Sequence, residues 1–144
     1  MTSRSLPLNP LRRCAILDTA VVLFAHGARN LEWSAPLYAL QETIRARGIE
    51  AHLAFLELQA PALPVVLDAL AARVAAVQIL PIFWAEAGHV RNELPAMLAA
   101  ARAKHPGVQF IQLPTLSQVP GLLALLADFV AAAPRSAGRQ DESS

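Results

Sequence analysis

Three residues able to hold a metal ion and to move protons recur at near-even intervals along this 144-residue chain: His26, Glu57 and His89. Imidazole and carboxylate together form a donor set for Co²⁺, Ni²⁺, Fe²⁺ or Zn²⁺. An imidazole, with its ordinary pKa of about 6.5, both ligates metals and accepts a proton near neutral pH. Gly27 follows the first histidine and Gly88 precedes the second. Glycine lets the backbone turn sharply and come close to a ligand. Arg29 and Arg91 lie just beyond the two histidines. A guanidinium grips a carboxylate in bidentate fashion, so capture of an acidic ligand competes with plain solvation as their role. Glu57 has three readings: a ligand, a cap for the next helix, or a solvated acid.

These residues sit at the ends of apolar runs. Ala20–His26, Glu50–Leu58, Ala75–Trp84 and Val108–Leu113 are short and rich in Val, Ile, Leu and Phe, which is how strands buried on both faces of a parallel sheet read. Helical spacing lies between them. Leu37, Leu40 and Ile44 predict a first helix stopped by Gly48, capped by Asn30 or Ser34. Leu63, Val66, Leu67, Leu70 and Val74 predict a second, opening near Pro64. Leu94, Met97, Leu98 and Ala101 predict a third, capped by Asn92, with Pro95 in its first turn and Pro106-Gly107 ending it. Ser117 is expected to cap a fourth that turns Leu122, Leu123, Leu126, Phe129 and Val130 inward.

Alternating strands and helices imply an α/β fold with a four-stranded parallel sheet and helices on both faces. With right-handed crossovers the expected strand order is 2-1-3-4, a flavodoxin-like half. Ligands of such sheets bind beyond the carboxyl ends of the strands where the order reverses. That places His26 and His89 on neighbouring strand ends, with Glu57 on the far side of the first strand. His52 and His105 fall at the other end, where the negative end of a helix dipole accounts for His105. Trp33 and Trp84 read as packing residues, close enough to the crevice to stack on a flat ligand.

The chain is 55% hydrophobic and 16% charged, with 12 Lys plus Arg against 11 Asp plus Glu and a formal net charge of +1. A filled core fits this composition; general disorder does not. The balance leaves no electrostatic footprint for nucleic acid or an anionic membrane. Cys14 is the single cysteine, which rules out an intrachain disulfide and a Cys-based zinc site and suits a reducing cytoplasm. Arg12 and Arg13 before an apolar stretch imitate a signal peptide, but Asp18 interrupts that stretch, which is too short to span a bilayer. The expected organisation is a flexible extension over 1–17, one α/β domain over 18–132 and a polar tail over 133–144. His26-Gly27-Ala28-Arg29 has neither phosphate-loop nor dinucleotide spacing, and no Ser/His/Asp or Cys/His signature is present.

Three stretches carry a family resemblance. FAHGARN (24–30) resembles the His-Gly-Ser-Arg strand end of the class II tetrapyrrole chelatases. AFLEL (54–58) is similar to their second strand with its glutamate, and PIFWAEAGHVRNELP (81–95) to their Gly-Gly-His-Val-Arg segment. The resemblance runs from about Val21 to Val130 and is nearest to the short, single-domain sirohydrochlorin cobaltochelatases. It implies insertion of Co²⁺ into sirohydrochlorin for cobalamin synthesis, or of Fe²⁺ for siroheme or Ni²⁺ for other cofactors, with no organic cofactor. It also implies His26, His89 and Glu57 as metal ligands and proton carriers, and a homodimer. A non-catalytic metal or tetrapyrrole binding protein is the alternative. The chain departs from the pattern at Ala28, where the family has serine, and at Glu86 and Ala87, where small residues and glycine are common.

Overall fold

The computed structural model describes residues 18–134. The expected extension over 1–17, Cys14 included, and all but the first two residues of the expected tail lie outside them.

Four strands form one parallel sheet: β1 (Thr19–Ala25), β2 (Glu50–Phe55), β3 (Ala76–Pro81) and β4 (Gln109–Gln112), in the order β2-β1-β3-β4. Ala25 lies opposite Phe55 and Phe24 opposite Pro81, so the carboxyl ends of β2, β1 and β3 finish nearly level. Each strand is shorter than its apolar run, yet pairing continues past β1 and β2. Leu56 N–H donates to Ala25 O at 2.9 Å and Glu57 N–H to His26 O at 3.0 Å.

Helices α1 (Ala35–Arg45), α2 (Leu63–Ala71), α3 (Leu94–Lys104) and α4 (Leu122–Ala132) follow the strands in turn. On one face Leu63, Leu67 and Leu70 of α2 and Leu94 and Leu98 of α3 close over Val22, Phe24, Val77, Ile79 and Phe110. On the other, Leu37 and Ile44 of α1 cover Leu23, Leu53 and Phe55. Phe24 and Phe55 are among the largest fully buried side chains, and truncating such a residue costs about 3–5 kcal/mol.

The structure corrects several sequence expectations. Of the two proposed caps of the first helix only Asn30 makes a capping hydrogen bond, and Ser34 at the N-cap position makes none with its side chain. Asn30 Oδ1 accepts from Glu32 N–H at 3.0 Å and opens a 3₁₀ turn over Leu31–Ser34, and Ser34 then stands at the N-cap of α1. Asn92 does not cap α3: it lies inside a π-helical turn, His89–Glu93, that leads into Leu94. Ser117 belongs to a 3₁₀ turn, Leu116–Gln118, and the helix after it starts at Gly121, φ +85°. Its apolar residues do not point inward, because α4 contributes no buried residue. The sheet is therefore not covered evenly. β1 is buried continuously toward its carboxyl end, whereas β3 alternates buried and half-buried along its length. Trp33 and Trp84 are not packing residues either, being 76% and 54% exposed.

Candidate functional site

β1 ends at Ala25, and His26 is the first residue beyond it. Its Nε2 lies 3.1 Å from Glu57 Oε1, and its Nδ1 lies 3.2 Å from Gly27 O. The ring nitrogen facing a carboxylate is held there when it carries a proton. The pair is open to water: the His26 and Glu57 side chains are 45% and 54% exposed. A ligand can thus reach it, and protons can leave it for solvent.

The backbone explains why the two side chains meet. Gly27 adopts φ +96°, and a Cβ there would sit 1.9 Å from the carbonyl oxygen of Glu57. Only glycine allows the β1 and β2 tips to come this close. Past Glu57 the chain turns through Leu58 at φ +64°, and Gln59 N–H donates back to Glu57 O at 2.8 Å. Gln59 Oε1 then accepts from Ala28 N–H at 2.8 Å and from the Ser34 hydroxyl at 2.9 Å. One amide oxygen so joins the loop after β1, the loop after β2 and the start of α1, with Ser34 2% exposed. Sequence reasoning passed over Gln59, since a glutamine before Ala60-Pro61 reads as loop. It saw Ser34 only as a cap. Beside this stitch is a cavity of about 280 Å³ lined by His26, Gly27, Ala28, Trp33, Gln59 and Ile82.

His89 lies beyond the carboxyl end of β3, the other neighbour of β1, where its backbone opens the π-helical turn. Val90 and Leu94, 1% and 0% exposed, fix that turn in the core, and Arg91 N–H donates to Ala87 O at 2.9 Å. Single π turns recur at functional sites. Gly88, Arg29 and Arg91 are exposed along this edge. The structure brings His26, Gly27 and Glu57 into direct contact and sets the backbones of His89, Gly88, Arg29 and Arg91 around the same end of the sheet. Among the described residues no group of three or more His, Cys, Asp or Glu side chains clusters as a metal site.

The remaining two imidazoles are tied up elsewhere. His52 Nε2 is 2.8 Å from Glu50 Oε1, which also pairs with Arg73. The Arg73 guanidinium and then His52 hold the Glu50 carboxyl below its ordinary value against the opposing effect of burial, and Glu50 in turn raises Arg73. Lys104 and His105, both 2.8 Å away, lower Asp68 across α2 and α3. No described helix is long and apolar enough to cross a membrane.

Comparison with known proteins agrees with this fold. The structure is similar to a protein assigned to CbiX of cobalamin (vitamin B12) biosynthesis from Marinobacter aquaeolei VT8, at 29% identity and TM-score 0.66, over 78% of this chain and 94% of that one. It shares its fold with the sirohydrochlorin chelatase SirB of Bacillus subtilis subspecies spizizenii in complex with cobalt, at 22% identity and TM-score 0.60, over 67% of this chain and 43% of that one. It also shares it with SirB from Bacillus subtilis with Fe³⁺, at 17% identity and TM-score 0.66, over 81% and 48%. The chain thus spans less than half the length of either SirB. No curated protein matches the sequence. The CbiX family model matches residues 20–133, and the chain belongs to the CbiX family.

Proposed function

We propose that this protein is a chelatase that inserts a divalent metal ion into sirohydrochlorin or a related tetrapyrrole. The observation that carries the reading is the His26–Glu57 pair, 3.1 Å apart and open to solvent at the tips of adjacent strands, in a chain of the CbiX family. Insertion needs two actions: the incoming ion must be held, and two pyrrole N–H protons must leave as it enters. In this reading His26 and His89 ligate the metal and accept those protons, and Glu57 is a further ligand that relays a proton from His26 Nε2 to water. The metal is a substrate. Co²⁺ is the metal we favour, a reading supported by the SirB complex with cobalt. Fe²⁺ and Ni²⁺ are the alternatives, and the SirB structure with Fe³⁺ keeps iron in view.

Sirohydrochlorin carries several carboxylates, and Arg29 and Arg91 at the rim are assigned to grip them. Gly27 and Gly88 let the macrocycle approach the backbone. The exposed faces of Trp33 and Trp84 suit stacking on its flat ring. Residues 18–132 form the chelatase domain, working as a homodimer in the cytoplasm.

The test is anaerobic mixing of sirohydrochlorin with Co²⁺, Fe²⁺ or Ni²⁺, followed by visible absorption. The protein is expected to speed the spectral change well above the protein-free rate for one metal in particular. An unchanged rate for all three sinks the proposal. Stoichiometric metal uptake without acceleration would instead identify a carrier.

A further inference from the structure

Glu57 reaches His26 from a strained piece of chain. The bond from Gln59 N–H to Glu57 O, 2.8 Å long, closes a three-residue turn with Leu58 at its centre, φ +64°. This is the rare positive-φ form of the γ-turn, and a residue as bulky as leucine enters that region only against steric resistance. Such a turn persists where its surroundings hold it. Ahead of it the chain is fastened to the end of β1, by Leu56 N–H to Ala25 O and Glu57 N–H to His26 O. Beyond it Phe55 N–H meets Pro61 O at 2.9 Å. Between these fastenings Leu58 and Ala60 are exposed, and Gln59 ties the segment to the rest of the protein.

The tie runs alongside the pair. Each partner in it lies two residues beyond a partner of the pair, Ala28 after His26 and Gln59 after Glu57. A backbone N–H can only donate, so the atom Ala28 meets is the amide oxygen of Gln59, and the Ser34 hydroxyl donates to that same oxygen. Ser34 is buried and makes no capping bond with its side chain, so its hydroxyl is committed to this contact. Without the amide, two part-buried donors lose their acceptor, and the loops after β1 and β2 lose the side chain that spans them.

We infer that Gln59 is the positioning residue of the site: by binding Ala28 and Ser34 through one oxygen it holds the turn at Leu58, and so keeps the Glu57 carboxylate against His26 Nε2. It acts through Glu57 and not on the reacting atoms. That the pair serves metal insertion rests on the chelatase reading; that Gln59 holds the pair does not.

The experiment follows the His26 ring nitrogens by nuclear magnetic resonance at one fixed pH, in the full chain, with no metal or tetrapyrrole added. The signals are assigned by their loss in His26→Ala, and Glu57→Ala supplies the signature of the ring without its carboxylate. Gln59→Met keeps the length of the side chain and removes the amide. It is expected to move the signals most of the way to those of Glu57→Ala. Ser34→Ala, which removes one of the two bonds, is expected to move them part of the way, and it decides the matter if Gln59→Met does not fold. Gly48→Ala, with nothing within 4 Å of the added Cβ, is the control for a general loss of stability and is expected to leave them in place. In the insertion assay Gln59→Met is expected to lower kcat by about 10²-fold with KM for sirohydrochlorin little changed, as for a group displaced by about 1 Å. Parent signals that already coincide with those of Glu57→Ala overturn the inference. So do Gln59→Met or Ser34→Ala signals that stay with the parent, or a raised KM with kcat unchanged, which would make Gln59 a direct contact of the ligand. If the parent inserts no metal while the ring signals move as expected, the chelatase reading falls and the positioning role stands.

Discussion

His26–Glu57 and His52–Glu50 are the same two residue types paired at opposite ends of one sheet, at 3.1 and 2.8 Å. The difference lies in what else the carboxylate holds. Glu50 Oε1 receives both the His52 ring and the Arg73 guanidinium, and its side chain and that of His52 are each 30% exposed. Its charge is spent, and a metal would first have to displace an arginine. Glu57 is 54% exposed, and among the described residues no Lys or Arg pairs with it. One pair ties β2 to the residues after α2; the other leaves a carboxylate that a newcomer can reach from solvent. Residue type nominates a site, and the prior commitments of each side chain decide whether it is one.

The sharpest break of this comparison is paired truncation. His26→Ala is expected to slow metal insertion by about 10²–10⁴-fold, the range for a positioned proton-transfer group, with little change in Tm because the side chain is 45% exposed. His52→Ala is expected to leave the insertion rate essentially unchanged and to cost up to about 1 kcal/mol of stability, as partly exposed ion pairs do. Visible absorption assays and thermal melts read the two effects separately. Equal rate losses in both variants would erase the distinction drawn here.

Much of this arrangement was legible in the sequence. Continuous apolar runs and helical spacing gave the strands, their order and the strand-end placement of His26 and His89. Glu57 was legible as a strand-end acid, but its contact with His26 was not, because that depends on how closely two loops approach. The uneven cover of the sheet was misread for a related reason. β3 and β4 looked buried on both faces because Ile79, Leu80 and Ile111 are apolar, and apolarity cannot say which element supplies the cover. Leu122 to Val130 read as inward for the same reason: a helix apolar all round declares that it needs a partner, not where the partner is. The π turn at His89 was invisible, since Asn92 followed by Pro95 looks like an ordinary cap and first turn.

Gly27 tests how far the open pair depends on close backbone approach. Gly48 is the control, because it too has positive φ, +80°, but a Cβ there meets nothing within 4 Å. Gly48→Ala is expected to cost about 1 kcal/mol from the left-handed backbone alone. Gly27→Ala adds a contact of 1.9 Å with Glu57 O, which the chain relieves by parting the β1 and β2 tips. A total loss of roughly 2–4 kcal/mol is expected, together with a fall in insertion rate as Glu57 moves from His26. Denaturant melts of the two variants compare the costs directly. If Gly27→Ala is no worse than Gly48→Ala, the approach of the tips is not what holds the pair.

The smallest expected effect is at the closed pair and is read with acid. Glu50 has its folded-state pKa depressed below the ordinary 4.5, chiefly by its hydrogen bond to Arg73. A depressed carboxyl binds fewer protons folded than unfolded, so it adds stability above about pH 4.5, and that stability fades as the pH falls through the lower folded value. Glu50→Gln removes the titration while keeping the shape. The variant is expected to be less stable than the parent at pH 7 by roughly 0.5–1 kcal/mol, a figure discounted for a side chain 30% exposed. The gap should close between pH 4.5 and the lower folded value. A gap that stays the same at every pH would mean that the Glu50 charge does not stabilise the fold and that only the shape of the closed pair matters.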